Sequence, residues 1–118
     1  MVTGKLMEKL FAKDMEGKDR IRFECRRLDL AVPVLELDVH GWDFDTFAAV
    51  VAPLLERWEL KVLEQEANAD LHVWLVDFEG CKMLLKAEHY SGQIWLEGLD
   101  AESTPVMAFL AQQLPIIV

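Results

Sequence analysis

The stretch that decides the fold is residues 71–98, LHVWLVDFEGCKMLLKAEHYSGQIWLEG. It contains three strand-like runs, about 71–78, 81–90 and 93–98, separated by Glu79-Gly80 and Ser91-Gly92, both of which are tight hairpin signals. A two-residue loop fixes register, and register fixes which side chains share a face. With Glu79-Gly80 as the loop, Phe78 pairs with Cys81, Val76 with Met83, Trp74 with Leu85 and His72 with Ala87. With Ser91-Gly92 as the loop, His89 pairs with Ile94 and Ala87 with Leu96. One face therefore carries Trp74, Val76, Met83, Leu85, Ile94 and Leu96, with Phe78 and Cys81 at its end. This is the expected core face.

The opposite face is mixed. The same register sets Asp77 opposite Lys82, Lys86 opposite Glu97 and Trp95 opposite Glu88. Opposite charges across strands suit a wetted surface and add about 0.2–1 kcal/mol per pair. Yet this face also carries Leu71, Val73, Leu75, Leu84, Tyr90 and Trp95. Each such side chain gains about 1.5–3 kcal/mol on full burial, so a purely solvated face has no use for them. Something is expected to cover part of it: the amphipathic segment 4–13, a second copy of the chain, or another partner. The candidate interaction surface is Val73, Leu75, Leu84, Tyr90 and Trp95, with Trp95 suited to an interface centre.

Outward from this stretch, the upstream runs also alternate. Residues 20–28 place Ile21, Phe23 and Cys25 on one side and Arg22, Glu24 and Arg26 on the other. Pro33 breaks the chain, and residues 34–39 alternate again. Asp43 suits a helix N-cap, with Trp42 and Phe47 as a hydrophobic staple. The helix it opens is expected to bury Phe44, Phe47, Ala48, Val51, Leu55 and Trp58, and Pro53 is expected to kink it or start a second turn. A further strand is expected at about 59–66, with its register left open by the loose 67–70 loop. Thr104 is the expected cap of a last helix, with Pro105 at its first position and Val106, Met107, Phe109, Leu110 and Leu114 as its apolar residues. The tail, Leu114-Pro115-Ile116-Ile117-Val118, is expected to return to the sheet as an edge strand, the alternative being a free hydrophobic terminus that a partner or protease could read. Near the start, Leu6, Met7, Leu10 and Phe11 share one helical face of residues 4–13, and Asp14 to Asp19 reads as a linker.

This order gives a single α+β domain over residues 1–118: an antiparallel meander sheet with helices packed on one face. Its β-α-β-β-β-β-α core, preceded by a short helix and a strand, resembles the layout of the TATA-binding-protein-like fold. The likeness is one of topology, which carries no function by itself.

Composition excludes several function classes. The chain has 118 residues, is 53% hydrophobic and carries a net charge of −9. It can build a core, which disordered chains cannot, and it repels phosphate backbones, which argues against nucleic-acid binding. No apolar run approaches the roughly 20 residues that span a bilayer, and the start lacks the apolar region of a signal peptide. A cytoplasmic protein with no membrane partner is the expectation. Cys25 and Cys81 show no metal spacing and read as small strand residues.

Chemistry finds little to stand on. His40 lies near Asp38, Asp43 and Asp45, a set with metal-ligand potential, but Asp43 is needed as a cap, so structural or solvated roles are expected and no metal. His72 reads as a strand-end histidine, and His89 is placed to reach Asp70 as a pH-sensitive pair. Neither Ser91 nor Ser103 sits in a nucleophile elbow, and neither cysteine has a histidine base beside it. No cofactor motif occurs. An enzyme is not the favoured reading, and no catalytic residue is assigned.

The segments His72-Val73-Trp74-Leu75-Val76-Asp77-Phe78-Glu79-Gly80, Glu88-His89-Tyr90 and Ile94-Trp95-Leu96-Glu97 resemble a small gamma-proteobacterial domain family of unknown function, over about residues 34–112. The resemblance implies a bacterial cytoplasmic protein, supplies no site residues, and leaves the first strand outside the family.

Three functional readings follow. The first is a non-enzymatic protein-interaction module or homodimer that uses the outer sheet face. The second is a small-molecule-binding domain with a pocket between sheet and helices, near Trp42, His72 and Trp74. The third is an acidic inhibitor or antitoxin-like protein that binds a basic partner.

Overall fold

The computed structural model describes residues 20–118. The amphipathic segment expected at 4–13 and the linker after it lie outside the described residues. The elements run β1 (Arg22–Asp29), β2 (Val34–Val39), α1 (Phe47–Arg57), β3 (Lys61–Ala67), β4 (Leu71–Phe78), β5 (Cys81–Glu88), β6 (Gln93–Gly98), α2 (Ser103–Gln112) and β7 (Ile116–Ile117). The fold is α+β, as the alternating runs predict. One seven-stranded sheet, ordered β3-β4-β5-β6-β2-β1-β7 and antiparallel throughout, carries both helices on one face.

The first hairpin has the expected register, from Phe78 with Cys81 to His72 with Ala87. Its cause is local. Glu79 (φ 50°) and Gly80 (φ 95°) are both left-handed, the geometry of the two-residue turn whose twist matches the flanking strands. The second hairpin differs from expectation. β5 ends at Glu88 and β6 starts at Gln93, so the loop is His89–Gly92. Only Gly92 (φ 69°) is left-handed there, and its N–H donates to the Glu88 carbonyl at 3.0 Å. Ala87 consequently pairs with Ile94, Leu85 with Leu96, Lys86 with Trp95 and Leu84 with Glu97. The slip is two residues. Because side chains alternate with period two, the face assignments within β5 and β6 survive while every partner across this hairpin changes, and His89 and Tyr90 leave the sheet.

Two bulges reset the parity of other strands. In β1 the extra residue is Arg26, between the Cys25–Leu37 and Arg27–Glu36 pairs. The expected strict alternation over 20–28 therefore fails after Cys25: Arg27 turns to the outer face and Leu28 to the core face, opposite Leu35. In β3 the extra residue is Leu63, between Val62 opposite Val76 and Glu64 opposite Leu75. A bulged, charged edge strand resists pairing with a foreign strand. At the other edge, the tail forms β7 as expected, pairing Ile116 with Phe23.

The start of α1 shows the chemistry expected of Asp43, one turn early. The Thr46 N–H donates to Asp43 Oδ1 at 2.9 Å, and the Asp43 N–H donates to Thr46 Oγ1 at 2.8 Å. This reciprocal arrangement is that of a capping box, but it closes a turn, and the α-helix begins at Phe47. Trp42 meets Phe47 edge-on, with ring centroids 5.8 Å apart. Phe47, Val51, Leu54, Leu55 and Trp58 are buried, a stripe of helical period. Ala48 is exposed against expectation, because it is rotated about 100° from Phe47, and Leu54 takes its place. The helix runs through Pro53. It ends with Glu59 left-handed (φ 57°), the Glu59 N–H on the Glu56 carbonyl and the Leu60 N–H on the Leu55 carbonyl. This is a Schellman motif, closed by the buried Leu55 and Leu60.

α2 starts at Ser103, before the expected cap Thr104. Asp100 sets the start, accepting from the Glu102 N–H at 2.9 Å through Oδ1. Ser103 is fully buried against Gly98: a Cβ on Gly98 would lie 2.4 Å from that of Ser103. Met107 and Leu110 are buried, whereas Phe109, expected in the core, is half exposed and leans on Phe78, 5.9 Å between centroids.

The core lies between the helices and one sheet face. Phe23, Leu35, Leu37, Val76, Met83, Leu85, Ile94 and Leu96 are buried there.

Candidate functional site

The site is the opposite sheet face, on which no helix among the described residues packs. It reads in rows across the strands. One row runs Arg27, Glu36, Trp95, Lys86, Val73 and Glu66, and the next runs Asp29, Val34, Glu97, Leu84, Leu75 and Glu64. Charge is concentrated on the side of β1, β2 and β6. Arg27 grips Glu36 at 3.0 Å and reaches Asp29 at 3.6 Å. Glu97 accepts from the Trp95 indole N–H at 2.8 Å and from Lys86 Nζ at 3.0 Å, both at Oε1. Partial burial alone would raise the Glu97 pKa; the hydrogen bonds from Trp95 and Lys86, with the lysine's charge, outweigh it and hold the carboxyl below its ordinary value.

Apolar residues take over on β4 and β5. Val73, Leu75 and Leu84 are half-buried by one another and by their neighbours. Beyond them, Glu64 stands opposite Leu75 and Glu66 opposite Val73 on the exposed edge strand β3. Neither glutamate makes an ion pair among the described residues. The face is thus an apolar stripe with paired charges on one side and, on the other, acids that have no ion-pair partner among the described residues.

Of the five residues expected on this surface, Val73, Leu75, Leu84 and Trp95 are on it. Tyr90 is not on the sheet. It lies in the His89–Gly92 loop, 79% exposed and beside His89, because β5 ends two residues earlier than the tight-turn reading requires. Trp95 faces Lys86 across the hairpin rather than Glu88, and Lys86 reaches Glu97 diagonally rather than directly. The Lys86–Glu97 pair is in the sequence reading, whereas the Trp95 indole donor to Glu97 escaped it, although the alternation places all three on one face. Arg27 escaped it because the bulge at Arg26 has no sequence signal.

The structure also gathers the other three candidates. Trp42, His72 and Trp74 surround Phe47, with His72 stacked at 4.6 Å from it and at 4.0 Å from Phe44, and Trp74 edge-on at 5.0 Å. His72 Nε2 lies 2.9 Å from the Phe44 carbonyl. A carbonyl only accepts, so that nitrogen carries the proton. These rings fill the space between α1 and the end of β4. A separate open groove of about 740 Å³ lies beside α1, lined by Arg20, Ile21, His40, Val50 and Pro53 among others.

The remaining titratable candidates are dispersed. His40 is almost wholly exposed and pairs with Asp38 at 3.2 Å. His89 meets Asp70 through the backbone, its N–H donating to the Asp70 carbonyl at 2.9 Å, and its ring lies beside Phe44 and Tyr90 instead. Both cysteines are free, Cys25 exposed and Cys81 half-buried with Sγ 3.8 Å from Ser103 Oγ. Among the described residues no group of three His, Cys, Asp or Glu side chains is arranged to hold a metal, and no helix is long and apolar enough to cross a membrane.

A family described as "Protein of unknown function (DUF3630)" matches residues 23–115. The chain belongs to this family. The DUF3630 match begins at Phe23, so β1 is part of the family domain, contrary to the expectation that it is particular to this chain. The match spans β1 from Phe23 through β6 together with both helices, leaving β7 outside, and therefore takes in both the core face and the outer face. No curated protein and no solved structure matches the chain.

Proposed function

We propose that this DUF3630 protein is a bacterial, cytoplasmic protein-interaction module whose outer sheet face receives an apolar, basic-flanked segment of a protein. The observation that carries this reading is the Val73, Leu75 and Leu84 stripe beside Glu64 and Glu66. Apolar area favours burial, while acids without partners among the described residues favour a basic neighbour. The same charges oppose a second copy seated face to face over β3 and β4, since like charges would meet. The acidic-inhibitor reading shares this chemistry and is a special case of it. The strand order β2-β6-β5-β4-β3 supports the TATA-binding-protein-like layout from β2 onward, but likeness of topology brings no ligand with it.

Calorimetric titration of the full chain with a synthetic leucine–lysine amphipathic peptide tests the reading. One-to-one binding is expected, weakening as salt screens the acids and lost in Leu84→Asp. Ala48→Asp, on the exposed side of α1, is expected to bind as the parent does. Equal binding by Leu84→Asp and the parent would remove the basis for the proposal. Sedimentation over a concentration series separates self-association from it.

A further inference from the structure

The acidic-framed stripe asks for an apolar segment with basic flanks, and the chain contains one. We propose that residues 4–13 of this chain are the resident occupant of the outer sheet face, docked in cis across β4 and β5. The inference rests on the reading of that face as a docking surface and names what it holds when no other protein is bound.

Three observations converge on it. The first is pattern. Leu6, Met7, Leu10 and Phe11 fall on one face at helical spacing, and ten helical residues span about 15 Å. That is the width of about three strands at roughly 4.8 Å each, which suits a stripe carried by two strands and their borders. The second is charge. Lys5, Lys9 and Lys13 against Glu8 give the segment +2, while all of the chain's net −9 lies in residues 20–118, because residues 1–19 balance four lysines with four acids. Glu64 and Glu66 border the stripe without partners of their own among the described residues. The third is reach. The described chain begins at Arg20, beside β1. From β1 to β5 is three strand spacings and to β4 four, about 14–19 Å, and the residues between 13 and 20 extend to about 23 Å.

The groove beside α1 is the competing berth, and it is closer to Arg20. Its lining offers Arg20 and His40 and no acidic side chain, so it lacks the glutamates that border the stripe on the outer face. Tethering through so short a linker raises the segment's effective concentration to about the millimolar range. A foreign segment of the same chemistry must then displace the chain's own, which makes residues 4–13 a competitor built into the module.

Paramagnetic relaxation on the full chain tests this. A nitroxide is attached at Glu8→Cys, on the polar side of the segment, in a Cys25→Ser, Cys81→Ala background. The expected result is loss of the amide signals of Val73, Leu75 and Leu84 and of the Trp95 indole signal, with Phe109 and Ala48 on the helices unaffected. Adding Leu10→Asp should restore the lost signals. In a mixture of labelled, isotopically silent chain with unlabelled, isotope-enriched chain, no loss is expected. Signal loss at Val50 and Ile21 instead would place the segment in the groove and overturn the proposal. Loss only in the mixture would assign the occupant to a second copy and overturn docking in cis. No loss in either sample overturns the occupant; the face then stands or falls on the Leu84→Asp peptide titration alone.

Discussion

Leu84 and Leu85 are neighbours on β5, identical in chemistry, and they meet opposite surroundings. Leu85 is fully buried between its strand partners and the helices; Leu84 is half-buried on a face that no described element covers. The contrast holds across the sheet. The core face is apolar through its centre, with Gln65 and His72 on its β3 and β4 side, and Ser103 of α2 is the one buried polar residue among the described residues. The outer face mixes leucines with ion pairs in the same rows. Strand alternation alone does not produce this difference, since both faces alternate equally well. The helices do: an element that buries a face selects against every charge on it, whereas an open face tolerates charge and keeps apolar side chains only where they are useful.

Truncating the two leucines is the strongest way to break the comparison. Leu85→Ala should cost about 2–5 kcal/mol, as buried leucine truncations do. Leu84→Ala should cost about 1 kcal/mol, in proportion to its partial burial. Urea unfolding of both variants gives the two numbers. Equal costs would mean that the faces are equally covered in solution.

The next largest effect belongs to the core face alone. Gly98 is opposite Met83, and a methyl group there would lie 2.4 Å from Ser103 Cβ and 3.0 Å from Pro33 Cβ. Both are Cβ atoms bonded directly to the backbone, which leaves little room to relax. Gly98→Ala should therefore destabilise by about 1–3 kcal/mol, the usual cost of overpacking, read as a fall in melting temperature. An unchanged melting temperature would show that α2 does not sit this tightly on the sheet.

The two faces were also unequally legible. The core face could be read from Trp74, Val76, Met83 and Leu85 because Glu79-Gly80 admits only one compact turn. The reading survived the error at Ser91-Gly92 because a two-residue slip preserves parity. Partners on the outer face were not protected in that way. The tight-turn reading matches Trp95 to Glu88 and puts Tyr90 on a strand, because a polar loop of His89, Tyr90, Ser91 and Gly92 does not announce its length. Arg27 was lost to a one-residue bulge, which inverts parity. Faces are set by hydrophobic pattern over many residues; partners are set by single loops and bulges, where the sequence signal is weakest.

The smallest expected effect sharpens the comparison from the outer side. On the outer face one carboxyl has a titration set by its neighbours. Glu97 is the group to watch. Its carboxyl is held below the ordinary value of 4.5 by Trp95 and Lys86 against the opposing pull of burial. A depressed pKa means that the folded state favours the ionised form. The stabilisation is complete above the unfolded-state value and fades as pH falls through the folded one. Carbon-detected titration of Glu97 should show a midpoint below that of an ordinary glutamate. Trp95→Phe removes the indole donor and should move the midpoint upward, as should Lys86→Met, so that the contribution is lost at a higher pH. If both variants titrate as the parent does, the Trp95–Glu97–Lys86 group is not held together in solution, and the outer face loses the fixed polar border that distinguishes its β6 side from the stripe on β4 and β5.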